Sequence, residues 1–320
     1  MPSSKTNTAA ISIEGKKELK QETIIFGIQR FSIHDGPGIR TLVFFKGCNL
    51  RCNWCSNPES QNFGQELFYH PEKCTKCLKC VEACPNKAIQ VDEDGKIDFK
   101  RNLCRNCGKC TIVCMSKARI LKGQTINVQE LMKEIKKDSD FYASSGGGVT
   151  LGGGDPLTCP EFAREILIEC KAAGIHTAIE TAGHFDWPVF EMVLPFTDLF
   201  LFDLKHLDPE IHKVYIGVDN RLILDNLAKL AAAAKSIVVR TPVIPGFNDQ
   251  EAAIRAIAEY VASLKISEYQ LLPYHQYGVE KYRYLGREYQ FTGDQKIDEA
   301  TIKRLKQLAS LDNLNVRIGG

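Results

Sequence analysis

Hydrophobic and polar positions along the chain fall into two rhythms. Short runs of apolar, β-branched and aromatic residues read as strands at 23–29, 41–46, 176–183, 198–205, 236–246 and 267–275. A further short strand lies inside the glycine-rich stretch 146–156, and a terminal one at 315–318. Between them apolar residues recur at helical spacing, as at Val128, Leu131, Met132 and Ile135. Helices are expected over 128–137, 160–173, 187–194, 220–234, 249–264 and 298–309, with Gly174 as a C-cap and with Asn226 and Lys229 on the polar side of the fourth. Strand and helix alternate six times, which argues for a parallel sheet short of the eight units of a closed barrel.

One region breaks this rhythm. Cys74-x2-Cys77-x2-Cys80-x3-Cys84-Pro85 returns after a period of 30 residues as Cys104-x2-Cys107-x2-Cys110-x3-Cys114. The spacing is that of bacterial ferredoxins, whereas zinc ribbons use two cysteine pairs. In two-cluster ferredoxins the fourth cysteine of each run ligates the other cluster. That rule assigns Cys74, Cys77, Cys80 and Cys114 to one 4Fe–4S cluster, and Cys104, Cys107, Cys110 and Cys84 to the other. Met115 stands where proline is usual. Residues 66–124 are thus expected to form a ferredoxin-like insert. It interrupts a scaffold made of 23–65 and 125–320, behind a polar, lysine-rich, flexible tail over 1–22. Fully ligated clusters have no open iron, so electron relay is expected, with a purely structural role as the alternative.

A third cysteine group differs. Cys48-x3-Cys52-x2-Cys55 follows the strand at 41–46. A cubane cluster takes four cysteines; this loop offers three, which leaves one iron open. The competing reading is a zinc site completed by a histidine, His70 being the nearest downstream. With Trp54 just before its last cysteine, the triplet resembles the radical S-adenosylmethionine superfamily. There the open iron is chelated by the amino and carboxylate groups of S-adenosylmethionine, and one electron cleaves the sulfonium to give a 5′-deoxyadenosyl radical. The fold this implies is α/β: a partial (β/α)6 TIM-type barrel, here with the ferredoxin-like insert.

Asp35-Gly-Pro-Gly-Ile-Arg40 would by itself be a turn. Placed before the triplet, and joined by Leu-Leu-Pro-Tyr-His275, it resembles the glycyl radical enzyme activating enzymes. The resemblance implies that Asp35 helps hold the glycyl loop of a substrate protein. Gly153, Gly154 and Asp155 match the family's G-G-E-P motif, with aspartate where glutamate is common. Glu180 and Thr181 fall in E-T-A-G, where aspartate is more usual than glutamate. Asp203, Leu204 and Lys205 form D-L-K, and Arg240 lies in V-R-x-P-V-I-P-G. By resemblance the acidic positions line the ribose and carboxylate of S-adenosylmethionine and can hold a monovalent cation. Lys205, Arg240 and His275 approach its carboxylate and adenine side, and Trp54, Cys55 and Ser56 join the cofactor-binding set. His176, His184, Cys159 and Cys170 match no motif.

Composition narrows the class further. The chain has 320 residues, 44% hydrophobic and 25% charged, with net charge +2. That is ordinary globular composition, with no bulk charge calling for nucleic acid or a membrane surface. Eleven of its 13 cysteines fall in the three clusters and the N-terminus has no apolar signal core, so a cytoplasmic setting is expected. The implied function is activation of a glycyl radical enzyme, acting on its C-terminal glycyl loop. Reductive cleavage of S-adenosylmethionine and hydrogen abstraction from a backbone glycine would yield methionine, 5′-deoxyadenosine and a glycyl radical. The cofactors implied are three 4Fe–4S clusters and S-adenosylmethionine. The electron donor would be reduced flavodoxin or ferredoxin, and the chain a monomer. Two alternatives stay open: a radical S-adenosylmethionine enzyme acting on a small molecule or peptide, and an iron–sulfur electron carrier. The partner is also open among diol or glycerol dehydratases, choline or isethionate lyases and arylacetate decarboxylases.

Overall fold

The structure is a computed structural model that describes residues 22–233, 235–291 and 296–319. The tail expected over 1–22 lies outside these residues except for Glu22, which opens the first strand. Among the described residues thirteen strands are formed: β1 (Glu22–Ser32), β2 (Arg40–Phe45), β3 (Glu66–Tyr69), β4 (Ile89–Val91), β5 (Ile97–Phe99), β6 (Arg119–Lys122), β7 (Gln124–Asn127), β8 (Gly148–Gly153), β9 (His176–Thr181), β10 (Leu199–Asp203), β11 (Ser236–Val243), β12 (Glu268–Pro273) and β13 (Asn315–Ile318).

Nine of them make one sheet in the order β13-β12-β11-β10-β9-β8-β2-β1-β7. From β2 to β13 all neighbours are parallel. At the other edge β1 is antiparallel to both β2 and β7. A parallel strand covered on both faces needs a continuous apolar run, and Leu199 to Phe202 of β10 are all buried. Helices Pro160–Ala172, Arg221–Ala232 and Glu251–Ser263 turn their apolar sides into the same core. Helix Val128–Lys136 starts with a capping box, in which Asn127 and Glu130 satisfy each other's backbone N–H groups.

Two expectations need correction. The scaffold resumes at Gln124, not 125, because Gln124 already pairs with Ile25 in the main sheet. Strand β7 was hidden because Gln-Thr-Ile-Asn offers one apolar residue and no run. Asn226 is not on an exposed polar face. It is fully buried, and its Nδ2 donates to the carbonyls of Gly183 (2.8 Å) and Phe185 (2.7 Å), pinning the loop after β9. Lys229 does lie outside, paired with Asp225 at 2.7 Å.

Between β2 and β7 the chain forms two small antiparallel pairs, β3 with β6 and β4 with β5. Its backbone is written twice. One-turn helices occur at Lys79–Glu82 and Lys109–Ile112. Left-handed residues recur 30 positions apart, Lys76 with Asn106, Leu78 with Gly108 and Lys87 with Lys117. Among the described residues no helix is long and apolar enough to cross a membrane.

Helix Pro209–Ile216 supports the cysteine loop from outside: the carbonyls of Ile216 and Tyr215 accept from the Arg51 and Asn53 amides at 2.9 and 3.0 Å. His212 of this helix is buried, and its Nδ1 donates to the Val218 carbonyl at 2.7 Å. Burial pushes its pKa down to about 4. A base depressed in the folded state stabilises it fully above the unfolded pKa, and that contribution is lost as pH falls. The loss should run from pH about 6.5 to about 4 and reach about 3 kcal/mol. Asp155, pushed up to about 7 by burial, acts in the opposite sense, so the informative quantity is a difference. In anaerobic thermal unfolding, wild type should lose more stability than His212→Gln between pH 7.5 and 5. Parallel losses in the two proteins would refute the assignment.

Candidate active site

At the C-terminal ends of the parallel strands lies a cleft of about 500 Å³, well within the range of small-molecule sites. It is lined from the β1–β2 loop at one side to Gly319, beyond β13, at the other. Strands from opposite regions of the sheet therefore face one cavity, and the sheet is curled but open. Of the residues singled out from sequence, Asp35, Cys48, Cys52, Trp54, Cys55, Ser56, Gly153, Gly154, Glu180, Thr181, Asp203, Lys205, Arg240 and His275 all line it.

The cysteine loop is fixed by backbone bonds. Gly47, at φ +98°, donates to Ser60 at 2.8 Å, and its carbonyl accepts from the Asp155 amide at 2.8 Å. The Gly154 amide donates to Phe45 at 2.9 Å. A Cβ on Gly154 would lie 2.1 Å from the Gly47 oxygen, and one on Gly153 2.6 Å from Phe44 Cα. Both glycines are there because two backbones meet at this point. Trp54 seals the loop's far side against Phe247, ring centroids 4.6 Å apart.

Burial pushes the Cys48 and Cys55 thiols up and takes Cys52 to about 12, with Lys205 pulling Cys52 the other way. Three dry thiols gain little as free thiolates. They suit soft metal, which supplies the compensating positive charge. The donor set thus fits an iron–sulfur cluster, with the three cysteines in the cleft wall. His70 does not complete a zinc site here. Its ring lies tilted against Tyr284 (centroids 3.9 Å apart) and its Nδ1 meets Glu72 at 3.2 Å, and it is absent from the cleft wall.

The floor is a chain of charges, with Arg240 and Lys205 buried and Glu180 and Asp203 half-buried. Arg240 pairs with Glu180 and, at 3.3 Å, with Asp203; Lys205 reaches the other Asp203 oxygen at 2.8 Å. Burial works against every member. For Asp203 the neighbouring Lys205 and Arg240 outweigh it and hold the carboxyl below its usual range. Burial raises Glu180, with Arg240 opposing. His275 stands exposed at the rim, stacked on Tyr277 at 4.3 Å.

Two residues of the expected set do not reach the cleft. The Asp155 carboxylate is buried in the wall. It accepts from Leu157 N (3.1 Å), Thr181 Oγ1 (2.7 Å) and Ala182 N (3.1 Å), so it splices the loop after β8 to the end of β9. One methylene shorter than glutamate, it is consumed by those donors. Leu204 points into the core, fully buried, as alternation along a strand end requires. Sequence reasoning also missed Arg40. Its guanidinium is wholly buried and donates to Thr150 Oγ1 (2.7 Å), the Pro37 carbonyl (3.1 Å) and the Val149 carbonyl, with His176 Nδ1 at 3.3 Å. It clamps the Asp35 loop onto β8 and β9, and Thr150 Oγ1 in turn donates to the Asp35 carbonyl at 2.7 Å. Its signal was its place at the end of the Asp35–Arg40 motif, opening an apolar strand, where no role was given to it.

The remaining clustered cysteines gather in two small apolar cavities of the insert. Cys84 joins Cys104, Cys107 and Cys110 in one, and Cys114 joins Cys74, Cys77 and Cys80 in the other. Cys159 and Cys170 lie elsewhere, Cys170 buried with its sulfur 3.7 Å from that of Met132.

Comparison with known proteins adds the following. The Radical SAM superfamily pattern matches residues 102–257, a 4Fe-4S dicluster domain 73–118 and a 4Fe-4S single cluster domain 34–93. The isethionate sulfite-lyase activating enzyme of Oleidesulfovibrio alaskensis is 46% identical over 303 residues, covering 93% of this chain and 97% of that one. The benzylsuccinate synthase activating enzyme of Thauera aromatica is 43% identical over 306 residues, covering 93% and 92%. The crystal structure of Streptococcus suis SuiB bound to its precursor peptide SuiA superposes with a TM-score of 0.51 at 13% identity, over 85% of this chain and 46% of that one. That last likeness speaks for the fold alone.

Proposed function

The chain belongs to the glycyl radical enzyme activating enzymes of the radical SAM superfamily, and from that premise we propose how its own residues carry the reaction. It is an enzyme that reductively cleaves S-adenosylmethionine and takes a hydrogen atom from a backbone glycine of a partner glycyl radical enzyme. Methionine, 5′-deoxyadenosine and a glycyl radical result. The observation that carries the residue assignment is the single cleft, where the cysteine triplet, the Gly153–Gly154 backbone and the ion-paired floor meet.

Cys48, Cys52 and Cys55 would hold the 4Fe–4S cluster, which when bound supplies the electron for sulfonium cleavage. The Gly153–Gly154 backbone, which lines the cleft, would receive a ligand's amino group. Lys205 and Arg240 offer positive charge to its carboxylate. Glu180 and Asp203 accept from ribose hydroxyls, and a monovalent cation would have to share Asp203 with Lys205 and Arg240. Asp35, on the lip, contacts the incoming glycyl loop, and that loop closes the cleft against water. Each cavity of the insert would hold one further 4Fe–4S cluster, three in all. These would relay electrons from reduced flavodoxin or ferredoxin, in a cytoplasmic monomer that docks transiently.

Isethionate sulfite-lyase and benzylsuccinate synthase, which name its relatives, are the partner enzymes to test first. The reconstituted protein, reduced anaerobically, is mixed with S-adenosylmethionine and each enzyme. A glycyl radical signal in electron paramagnetic resonance, matched by equal deoxyadenosine, is expected from the true partner. Deoxyadenosine with no radical on either enzyme would sink both partner assignments.

A further inference from the structure

The two cysteine cavities of the insert repeat at 30 residues but differ at several lining positions, and one of these differences lies in the paired strands. In the strand pair β4–β5, Ile89 faces Phe99. In β3–β6 the equivalent pair is Arg119 facing Tyr69. Ile89 and Phe99 line the cavity of Cys84, Cys104, Cys107 and Cys110. Arg119 and Tyr69 line that of Cys74, Cys77, Cys80 and Cys114. A hydrocarbon pair in one cavity is thus a cation and a phenol in the other.

Arg119 is only 2% exposed. Its guanidinium lies over Tyr69 at 4.3 Å and Phe99 at 5.1 Å, yet neither terminal nitrogen has a hydrogen-bond partner among the described residues. Burying a cation without an anion or acceptors is costly. By contrast Arg101, nearby, spends its donors on the carbonyls of Leu67 (3.0 Å) and Tyr284 (2.6 Å). Arg105 lines the other cavity but is exposed, where water screens it. The free donors of Arg119 therefore call for a negative group inside the cavity that it lines. A four-thiolate cluster is such a group, and it gains one more negative charge on reduction. Net charge and hydrogen bonds to the sulfurs are what set cluster potentials.

We propose that Arg119 sets the two insert clusters apart in reduction potential, making the one ringed by Cys74, Cys77, Cys80 and Cys114 the more easily reduced. This rests on the reading that each cavity holds a 4Fe–4S cluster. An electron entering the insert would then reside in the Arg119 cavity, beside β3, rather than be shared equally. Arg119 acts here as a positioning residue, through charge and N–H donors, on a one-electron reduction that needs only the external donor.

The test is an anaerobic redox titration of the full-length reconstituted enzyme, followed by electron paramagnetic resonance, with iron measured throughout. The catalytic cluster is told apart by its response to S-adenosylmethionine. Wild type should show two insert couples whose one-electron reduction constants differ at least tenfold, about 59 mV. Arg119→Gln should lower the more easily reduced couple at least tenfold and the other by less, since the guanidinium also lies over Phe99 of the second cavity. Arg119→Lys should keep most of the split. Two indistinguishable couples in wild type, or full iron and unmoved couples in Arg119→Gln, would overturn the inference. Iron for fewer than two insert clusters in wild type would overturn the two-cluster reading itself, a different result from an unmoved couple.

Discussion

Cys52→Ala is expected to abolish 5′-deoxyadenosine formation while about two thirds of the iron stays bound. The three cysteine groups are separate in space. The triplet opens into the cleft, and the other eight cysteines ring two cavities inside the insert. Cys52 is the middle cysteine of a loop held by backbone bonds to Ile216, Tyr215, Ser60 and Asp155, so removing one thiol should not unfold it. The variant would keep two of the three cysteines proposed to hold the cluster, which would then be lost together with the electron it supplies. The measurement is made with dithionite, S-adenosylmethionine and no partner, with deoxyadenosine and iron quantified in wild type and variant. Undiminished deoxyadenosine in the variant would sink the assignment of the triplet. Failure of the wild type to make any would turn attention to the electron-carrier alternative.

What was legible from sequence follows from where information is local. Strand β10 announces itself because both its faces are buried, and the cysteine runs because cluster ligation demands fixed spacing. The ends of β9, β10 and β11 could be read because a charged residue after an apolar run is unusual. Asp155, Leu204, Asn226 and Arg40 show the converse. Each of these is decided by partners brought in by folding: Asp155 by Thr181 and Ala182, Asn226 by carbonyls more than 40 positions earlier. Arg40 is decided by carbonyls and a hydroxyl on β8. A polar side chain that looks like surface or ligand from its neighbours in sequence becomes a clamp once those partners arrive. The contrast between Ile89 and Arg119 was in the repeat from the start, but it carries meaning only when both are seen to face cysteines.

Arg240→Met should weaken S-adenosylmethionine binding at least tenfold and cost about 3–5 kcal/mol of stability. Arg240 is 4% exposed and ties Glu180 to Asp203 across two neighbouring strands. Without it Glu180 loses its charge partner in a buried site and Asp203 keeps only Lys205. Glu180, already raised by burial against the pull of Arg240, should then hold its proton to higher pH than in wild type, and a carboxylic acid is a poorer acceptor for ribose hydroxyls than a carboxylate. The double variant Arg240→Met, Glu180→Gln separates the two effects. Removing the stranded charge should restore most of the stability, measured by anaerobic denaturant unfolding, because the penalty came from an unpaired carboxylate and not from lost packing. It should not restore binding, measured as the concentration dependence of deoxyadenosine formation, since the positive charge facing the cofactor's carboxylate is still missing. If the double variant binds like wild type, Arg240 serves only to neutralise Glu180, and Lys205 alone holds the carboxylate.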